Sequence, residues 1–115
     1  MSKIKQEPVH AGEFLLSEGP GNISREAIAV AAGDALVAGQ VLGQIAATGE
    51  FAPYKPDAED GSEKAVCILF ASLGESDVIR RGRAVVRLAE VSEALLTGLD
   101  LDAEKALLAN FIILR

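Results

Sequence analysis

The chain has 115 residues, of which 50% are hydrophobic and 4% aromatic, and its formal net charge is −6. This length predicts one domain, and the negative charge argues against direct nucleic-acid binding, which needs a dense basic surface. No run approaches the ~18 apolar residues of a membrane span and the N-terminus lacks a signal-peptide core, so we expect cytoplasmic synthesis and no membrane partner.

The apolar content is high for so small a chain, with a mean hydropathy of +0.27. A small monomer cannot bury that much apolar surface, because most of its volume lies near water. We therefore expect part of the apolar set to lie between subunits. An unusually alanine-rich core is the alternative.

Residues 1–21 mix charged residues, glycine and proline with few large apolar groups. Such a composition cannot offset its ordering entropy alone, so we predict a flexible N-terminal arm at residues 1–21 and a β-rich domain at residues 22–115. Within the arm, Phe14, Leu15, Leu16 and Ser17 could add as a strand to an exposed sheet edge. Alternatively, Phe14 to Leu16 pack on the core of their own chain.

Residues 28–54 read as short apolar strands, each stopped by a turn that contains glycine. Ile28 and Val30 follow the period-two pattern of a half-buried strand, and residues 41–45 repeat this pattern. Glycine suits the turns because it accepts the positive φ that tight hairpins need. Prolines within residues 51–56 predict an edge strand or an extended loop there.

Residues 57–63 carry four carboxylates, which could suggest a calcium site, but the spacing favours a solvated turn centred on Asp60 and Gly61. Residues 64–71 then form a predicted buried strand. Its Cys67 is the chain's only cysteine, and an inert buried thiol is favoured there over a reactive one.

The basic cluster that follows could bind an acidic partner or a neighbouring subunit's carboxylates; it contains Arg80, Arg81 and Arg83. A solvated hairpin turn is the interpretation we favour. Residues 84–91 form a predicted strand.

A change of period near residue 100 predicts a short C-terminal helix. Asp100 can cap it, and Asn110 can close it in a left-handed conformation. Three residues fall on one side of this helix: Leu101, Lys105 and Leu108. Residues 111–114 return as a final strand. The chain is thus predicted to be mainly β with one short helix.

Candidate catalytic groups are few. His10 is the chain's only histidine, and its place in the predicted arm favours a solvated side chain over a catalytic or metal-binding one. No P-loop and no GxGxxG motif is present. We therefore predict a binding or structural protein, not an enzyme, with no cofactor.

Two spaced patterns carry a family resemblance: Ser24-Arg25-Glu26-x-Ile28-x-Val30-x-x-Gly33-x-x-Leu36-x-Ala38-Gly39-x-Val41-Leu42-Gly43-x-Ile45, and Tyr54-x-Pro56-x-Ala58-x-Asp60-Gly61-Ser62-x-x-Ala65-x-x-Ile68-Leu69. Together with the short helix and final strand they resemble the head decoration proteins of tailed bacteriophages, relatives of the lambda phage protein D. The charged segment at residues 75–83 departs from the family pattern.

The resemblance implies a β-clip-like small domain that forms homotrimers at threefold sites of the expanded phage head. It also implies that the arm orders against the major capsid protein, that the trimer stabilises the shell against packaged DNA, and that the protein resides on the capsid surface of the virion. On this basis we assign a capsid-binding set of residues: Phe14, Leu15, Leu16, Ser17, Ile23, Ser24, Arg25 and Glu26.

Two rival functions share parts of the pattern. Residues 33–42 resemble the turn and strand of biotinyl or lipoyl carrier domains, but the corresponding hairpin tip, Thr48-Gly49-Glu50, offers no lysine to modify. A small sugar-binding or other accessory β domain is the second rival, and the shortage of aromatic residues argues against it.

Overall fold

The computed structural model describes residues 10–115. Within this range the chain forms eight strands, a 3-10 turn at Glu93–Leu95 and one α-helix, α1, at Leu101–Leu108. The strands, in chain order, are β1 Leu15–Glu18, β2 Arg25–Val30, β3 Val41–Gln44, β4 Phe51–Pro53, β5 Ala65–Leu69, β6 Arg80–Val85, β7 Ala89–Val91 and β8 Ile112–Leu114. The prediction of a mainly β domain with one short C-terminal helix is confirmed.

Five strands close into a barrel in the order β2-β4-β3-β5-β6. β2 and β6 form its longest ladder, an antiparallel pairing that runs from Arg25 opposite Val85 to Val30 opposite Arg80. β3 pairs antiparallel with both β4 and β5, and β5 pairs antiparallel with β6. The parallel contact between β2 and β4 joins only Val30 and Phe51. The barrel therefore closes between β2 and β4 through a single residue pair.

β1, β7 and β8 form a separate three-stranded sheet with β7 in the middle. β1 runs antiparallel to β7, and β8 runs parallel to it. Since β7 has a neighbour on each side, β1 and β8 are the two edges of this sheet.

Buried side chains form two apolar clusters on opposite sides of β3. Val41 belongs to a cluster shared with β7, β8 and α1, and Leu42 belongs to one made mainly from the barrel strands. Consecutive residues of a strand point to opposite faces, so β3 separates the two clusters. The expectation of a half-buried strand at residues 41–45 is wrong here, since Val41, Leu42 and Gly43 are all buried. For β2 it is confirmed, because Ile28 and Val30 are buried and the alternate alanines are exposed.

The start of α1 matches its prediction. The Asp100 carboxylate accepts a hydrogen bond from the Ala103 N–H at 2.8 Å, which satisfies a free donor of the first turn. The buried Tyr54 hydroxyl donates to the same carboxylate at 2.9 Å, and burial followed by this carboxylate raises the pKa of Tyr54 to about 12. The cap thus ties the helix to the segment after β4.

The end of α1 differs from its prediction. Phe111, with φ of 63°, takes the left-handed conformation expected of Asn110. The Asn110 side chain instead donates to the Val66 carbonyl at 3.2 Å, so it joins the helix end to β5.

The prediction of a hairpin turn at residues 80–83 is wrong. These residues open β6, where the ladder to β2 satisfies their backbone. Gly82 fits on the inner face because a Cβ there would lie only 3.2 Å from Leu73 and 3.5 Å from Leu69. Arg81 and Arg83 alternate with it on the exposed outer face. Charge on one face and glycine on the other made the segment look like a turn.

The single strand predicted at residues 84–91 is also wrong. β6 ends at Val85 and β7 begins at Ala89, with Leu88 between them at φ 53°. The Leu88 N–H donates to the Asn110 carbonyl at 3.4 Å. At this point the chain passes from the barrel to the three-stranded sheet. The apolar run at residues 84–91 is therefore divided, because β6 pairs with barrel strands and β7 pairs with β1 and β8.

Residues 51–56 combine a short strand with a loop. β4 has neighbours on both sides, contrary to the expected edge position. Its Pro53 lies at the end of the strand, and only Phe51 contacts β2, so the missing proline donor leaves no gap in the β2 pairing.

The boundary predicted at residue 21 needs correction for the described part of the arm. Phe14 is fully buried in the larger apolar cluster, and β1 pairs with β7 of the same chain. Burial of an aromatic ring offsets the ordering entropy of this short segment. The alternative in which Phe14 packs on its own core is the one found. The first nine residues of the predicted arm lie outside the described residues.

Candidate functional site

β1 is an edge strand with one open side. Its inner side pairs with β7, with a register irregularity between Leu15 and Ser17, and its other side has no partner strand among residues 10–115. The Leu16 side chain is 55% exposed, and Ser17 is exposed beside it. An open edge offers backbone N–H and C=O groups to a strand from another protein.

Two of the predicted capsid-binding residues hold β1 in place. Phe14 is buried, and its carbonyl accepts a hydrogen bond from the Ser92 N–H at 2.7 Å. Leu15 is half-buried and packs against the same apolar cluster. Neither Phe14 nor most of Leu15 is available to a partner, so their role in this structure is to fix the strand.

Ser24 fixes the turn between β1 and β2. Its hydroxyl accepts a hydrogen bond from the Gly19 N–H at 2.8 Å and donates one to the Leu88 carbonyl at 2.9 Å. Because Ser24 is fully buried, its hydroxyl serves the fold and not a partner. Ile23, its neighbour, is 45% exposed. The turn therefore buries its polar residue and leaves an apolar one in solvent.

Arg25 joins β1 to the barrel. Its guanidinium donates twice to the Glu18 carboxylate, at 2.9 and 2.6 Å, and lies 4.1 Å from the centre of the Phe70 ring. This two-bond geometry holds β1 against the start of β2. Arg25 was predicted to contact the capsid, and the structure gives it a partner within its own chain.

Glu26 forms an ion pair with Arg87, and both side chains are substantially exposed. Arg87 also donates to the Ile23 carbonyl at 2.6 Å. This pair links β2, the turn and the segment before β7. The eight predicted residues thus divide: Leu16, Ser17, Ile23 and Glu26 face solvent, and the others mainly hold the β1 edge.

Sequence reasoning missed a second group of exposed large apolar residues, beside the strand ends and on the helix: Val78, Ile79, Leu88, Leu101, Leu108 and Phe111. The pattern in α1 could have indicated two of them, because its buried residues are Ala103 and Leu107. No local signal indicates Leu88 or Phe111, since bulky residues seldom adopt positive φ.

The side chains that could take part in catalysis or metal binding lie in environments that do not favour either. Cys67 is buried, as expected, and this burial, with a smaller contribution from Glu26, raises the pKa of its thiol to about 12. In the acidic turn, the Ser62 hydroxyl and N–H donate to Asp60 at 2.6 and 3.0 Å and lower the pKa of its carboxyl. Within residues 10–115, no three His, Cys, Asp or Glu side chains form a group that could hold a metal ion. His10 is exposed, as expected.

A family model for the head decoration protein D of bacteriophage lambda matches residues 4–112, nearly the whole chain. The chain belongs to this family. A comparison with curated proteins finds no match. No helix in the described part of the chain is long and apolar enough to cross a membrane. As a head decoration protein it associates with the phage capsid, and its location is the virion. The resemblance carried by residues 24–69 is confirmed.

Proposed function

We propose that the protein binds as a homotrimer to threefold sites of the expanded phage head and stabilises the shell against the pressure of packaged DNA. The observation that carries this proposal is the open edge of β1, next to the exposed apolar residues Leu16 and Ile23. In the proposed complex a strand of the major capsid protein pairs with this edge, and the two apolar side chains cover it.

The edge is well suited to such pairing because its geometry is already fixed. Phe14 anchors one end, and the pair of Arg25 with Glu18 anchors the other. A preformed edge loses less conformational freedom on binding than a free peptide does. We further propose that the N-terminal arm contributes to the same contact, as the resemblance implies.

Three such edges on one trimer would act together. Once one edge is bound, the others are at high effective concentration, and avidity can exceed single-site affinity by ~10² to 10⁴. Sites that exist only on the expanded lattice would then stabilise that lattice by mass action. Nine large apolar residues of the described chain are exposed, which supports association both with the capsid and between subunits.

The test is co-sedimentation with empty expanded heads of the phage that carries this protein. Leu16→Asp and Ile23→Asp should each lower occupancy, because a charge would be buried against the capsid strand. Leu101→Asp is the matched control, since Leu101 is 74% exposed but lies on α1. A chain that begins at residue 10 measures the contribution of the arm while keeping Phe14. Undiminished occupancy for both β1-edge variants, with normal folding, would refute the proposed contact.

A further inference from the structure

The outer face of the β2–β6 ladder carries two arginines with no partner in the described chain. Arg81 lies opposite Ala29 and Arg83 opposite Ala27, and all four residues are exposed. The alanine side chains opposite them offer the guanidinium groups no polar partner. Neither guanidinium group forms an ion pair or hydrogen bond with any of residues 10–115.

The other arginines are used within the fold. Arg25, Arg87 and Arg115 each pair with a carboxylate. Arg80 precedes these two arginines in β6. It donates to the backbone carbonyls of Ala31, Asp34 and Gly74 at 2.6 to 3.2 Å. In a chain with net charge −6, these two arginines, whose guanidinium groups have no partner among residues 10–115, are therefore a local exception.

A groove of about 1070 Å³ lies beyond the end of β2, between residues 31–36 and the acidic turn. Carboxylates dominate its charged lining, and none of them forms an ion pair within residues 10–115: Asp34, Asp57, Glu59 and Asp60. Two cations also line it, Lys55 and Arg80. With four carboxylates and two cations, the lining has a net formal charge of −2, so the groove offers carboxylates to a cationic partner.

We propose that Arg81 and Arg83 of one copy enter the acidic groove of the next copy and form the contact that closes the ring of subunits. This inference rests on the homotrimer of the proposed function. A cyclic trimer needs two different, complementary surfaces on each chain, and the arginine face and the groove meet that need. Guanidinium groups bind carboxylates through paired hydrogen bonds, which fixes orientation as well as charge.

The net charge of the chain makes a contact of opposite charges important for self-association. Two chains of charge −6 repel each other unless the contact places cations of one against anions of the other. The arginine face supplies these cations, and the acidic groove supplies these anions. Since both surfaces are exposed before assembly, the contact should weaken as salt concentration rises.

Sedimentation velocity across a range of protein and salt concentrations tests the contact. Arg81→Glu with Arg83→Glu should raise the concentration needed for half-assembly roughly tenfold or more, because attraction becomes repulsion. Lys105→Glu is the control for an exposed charge reversal, since Lys105 lies on α1. Far-ultraviolet circular dichroism confirms that each variant is folded, and Arg81→Gln with Arg83→Gln gives a milder change at the same face.

A charge exchange separates this contact from a general effect of charge. Asp57→Arg with Glu59→Arg should also disrupt assembly, and a chain that carries both pairs of substitutions should regain it. A wild-type trimer that is insensitive to both reversals overturns this contact but leaves the homotrimer intact. A wild-type chain that is monomeric both free and on heads overturns the homotrimer and the contact together. Recovery of the trimer in the doubly reversed chain supports the contact.

Discussion

Replacing Phe14 with alanine measures whether the segment before β1 is part of the folded domain. The ring is fully buried in the cluster that joins the barrel to β7, β8 and α1. Its removal leaves a cavity at the point where β1 is anchored. If the same residue belonged to a mobile arm, its removal would leave the domain unchanged.

The two cases differ by a large free energy of unfolding. Truncation of a buried phenylalanine to alanine costs about 3–5 kcal/mol, whereas an exposed or mobile position costs within about 0.5 kcal/mol. The larger cost changes the ratio of folded to unfolded chains by roughly two to nearly four orders of magnitude. It is a substantial part of the about 5–15 kcal/mol that stabilises an ordinary domain.

Urea unfolding followed by circular dichroism gives the measurement. With a slope of about 2 kcal/mol/M, the midpoint of Phe14→Ala should fall by roughly 1.5–2.5 M. Leu16→Ala, at an exposed position on the same strand, is the control and should shift little. Both are compared at one protein concentration, because assembly stabilises the folded state. Phe14→Leu gives a smaller loss in the same direction if the alanine variant does not fold. A loss below about 1 kcal/mol for Phe14→Ala would show that the ring is not in the core.

Stability should fall as pH rises from about 9 to 12. The ordinary pKa values of Cys67 and Tyr54 are 9.0 and 10.0, and the fold raises both to about 12. The unfolded chain therefore loses these protons first, which favours unfolding as pH rises. The urea midpoint measured against pH checks this, and Tyr54→Phe should make the decline above pH 10 less steep. Gly43→Ala should cost about 1–3 kcal/mol, since its Cβ would lie 2.6 Å from the Ser62 backbone, whereas Gly74→Ala, with open space around it, should shift the thermal midpoint little. Ser24→Ala should cost about 0.5–1.5 kcal/mol in urea unfolding, because it removes the hydroxyl's hydrogen bonds to the Gly19 N–H and the Leu88 carbonyl, which then keep only the bond of 3.1 Å to each other; an unchanged midpoint would contradict that role.

Local patterns were sufficient for part of the fold. The alternation in β2, the continuous apolar run of β5 and the Asp100 cap are each set by residues close in sequence, and all three are found. β6 could not be predicted in the same way, because its strand conformation depends on the ladder to β2, more than fifty residues earlier. The break at Leu88 depends on Asn110, which lies 22 residues later in the chain.

The candidate site shows the same division. Sequence reasoning placed a strand-forming segment at residues 14–17, and β1 is found at Leu15–Glu18. It could not say which residues face solvent. That depends on the register of β1 with β7 and on the hydrogen bond from Ser24 to Leu88, 64 residues away.

The buried residues of the site determine what the exposed ones can do. Phe14 and Ser24 are fully buried, and they fix the two ends of the segment that presents Leu16 and Ile23. If this segment were loose, each docking event would first have to order it, at roughly 1–2 kcal/mol per residue. Because the edge is held before binding, that cost would fall on folding and not on the proposed capsid contact. A short edge of four residues can therefore contribute to binding where a free peptide of the same length would not.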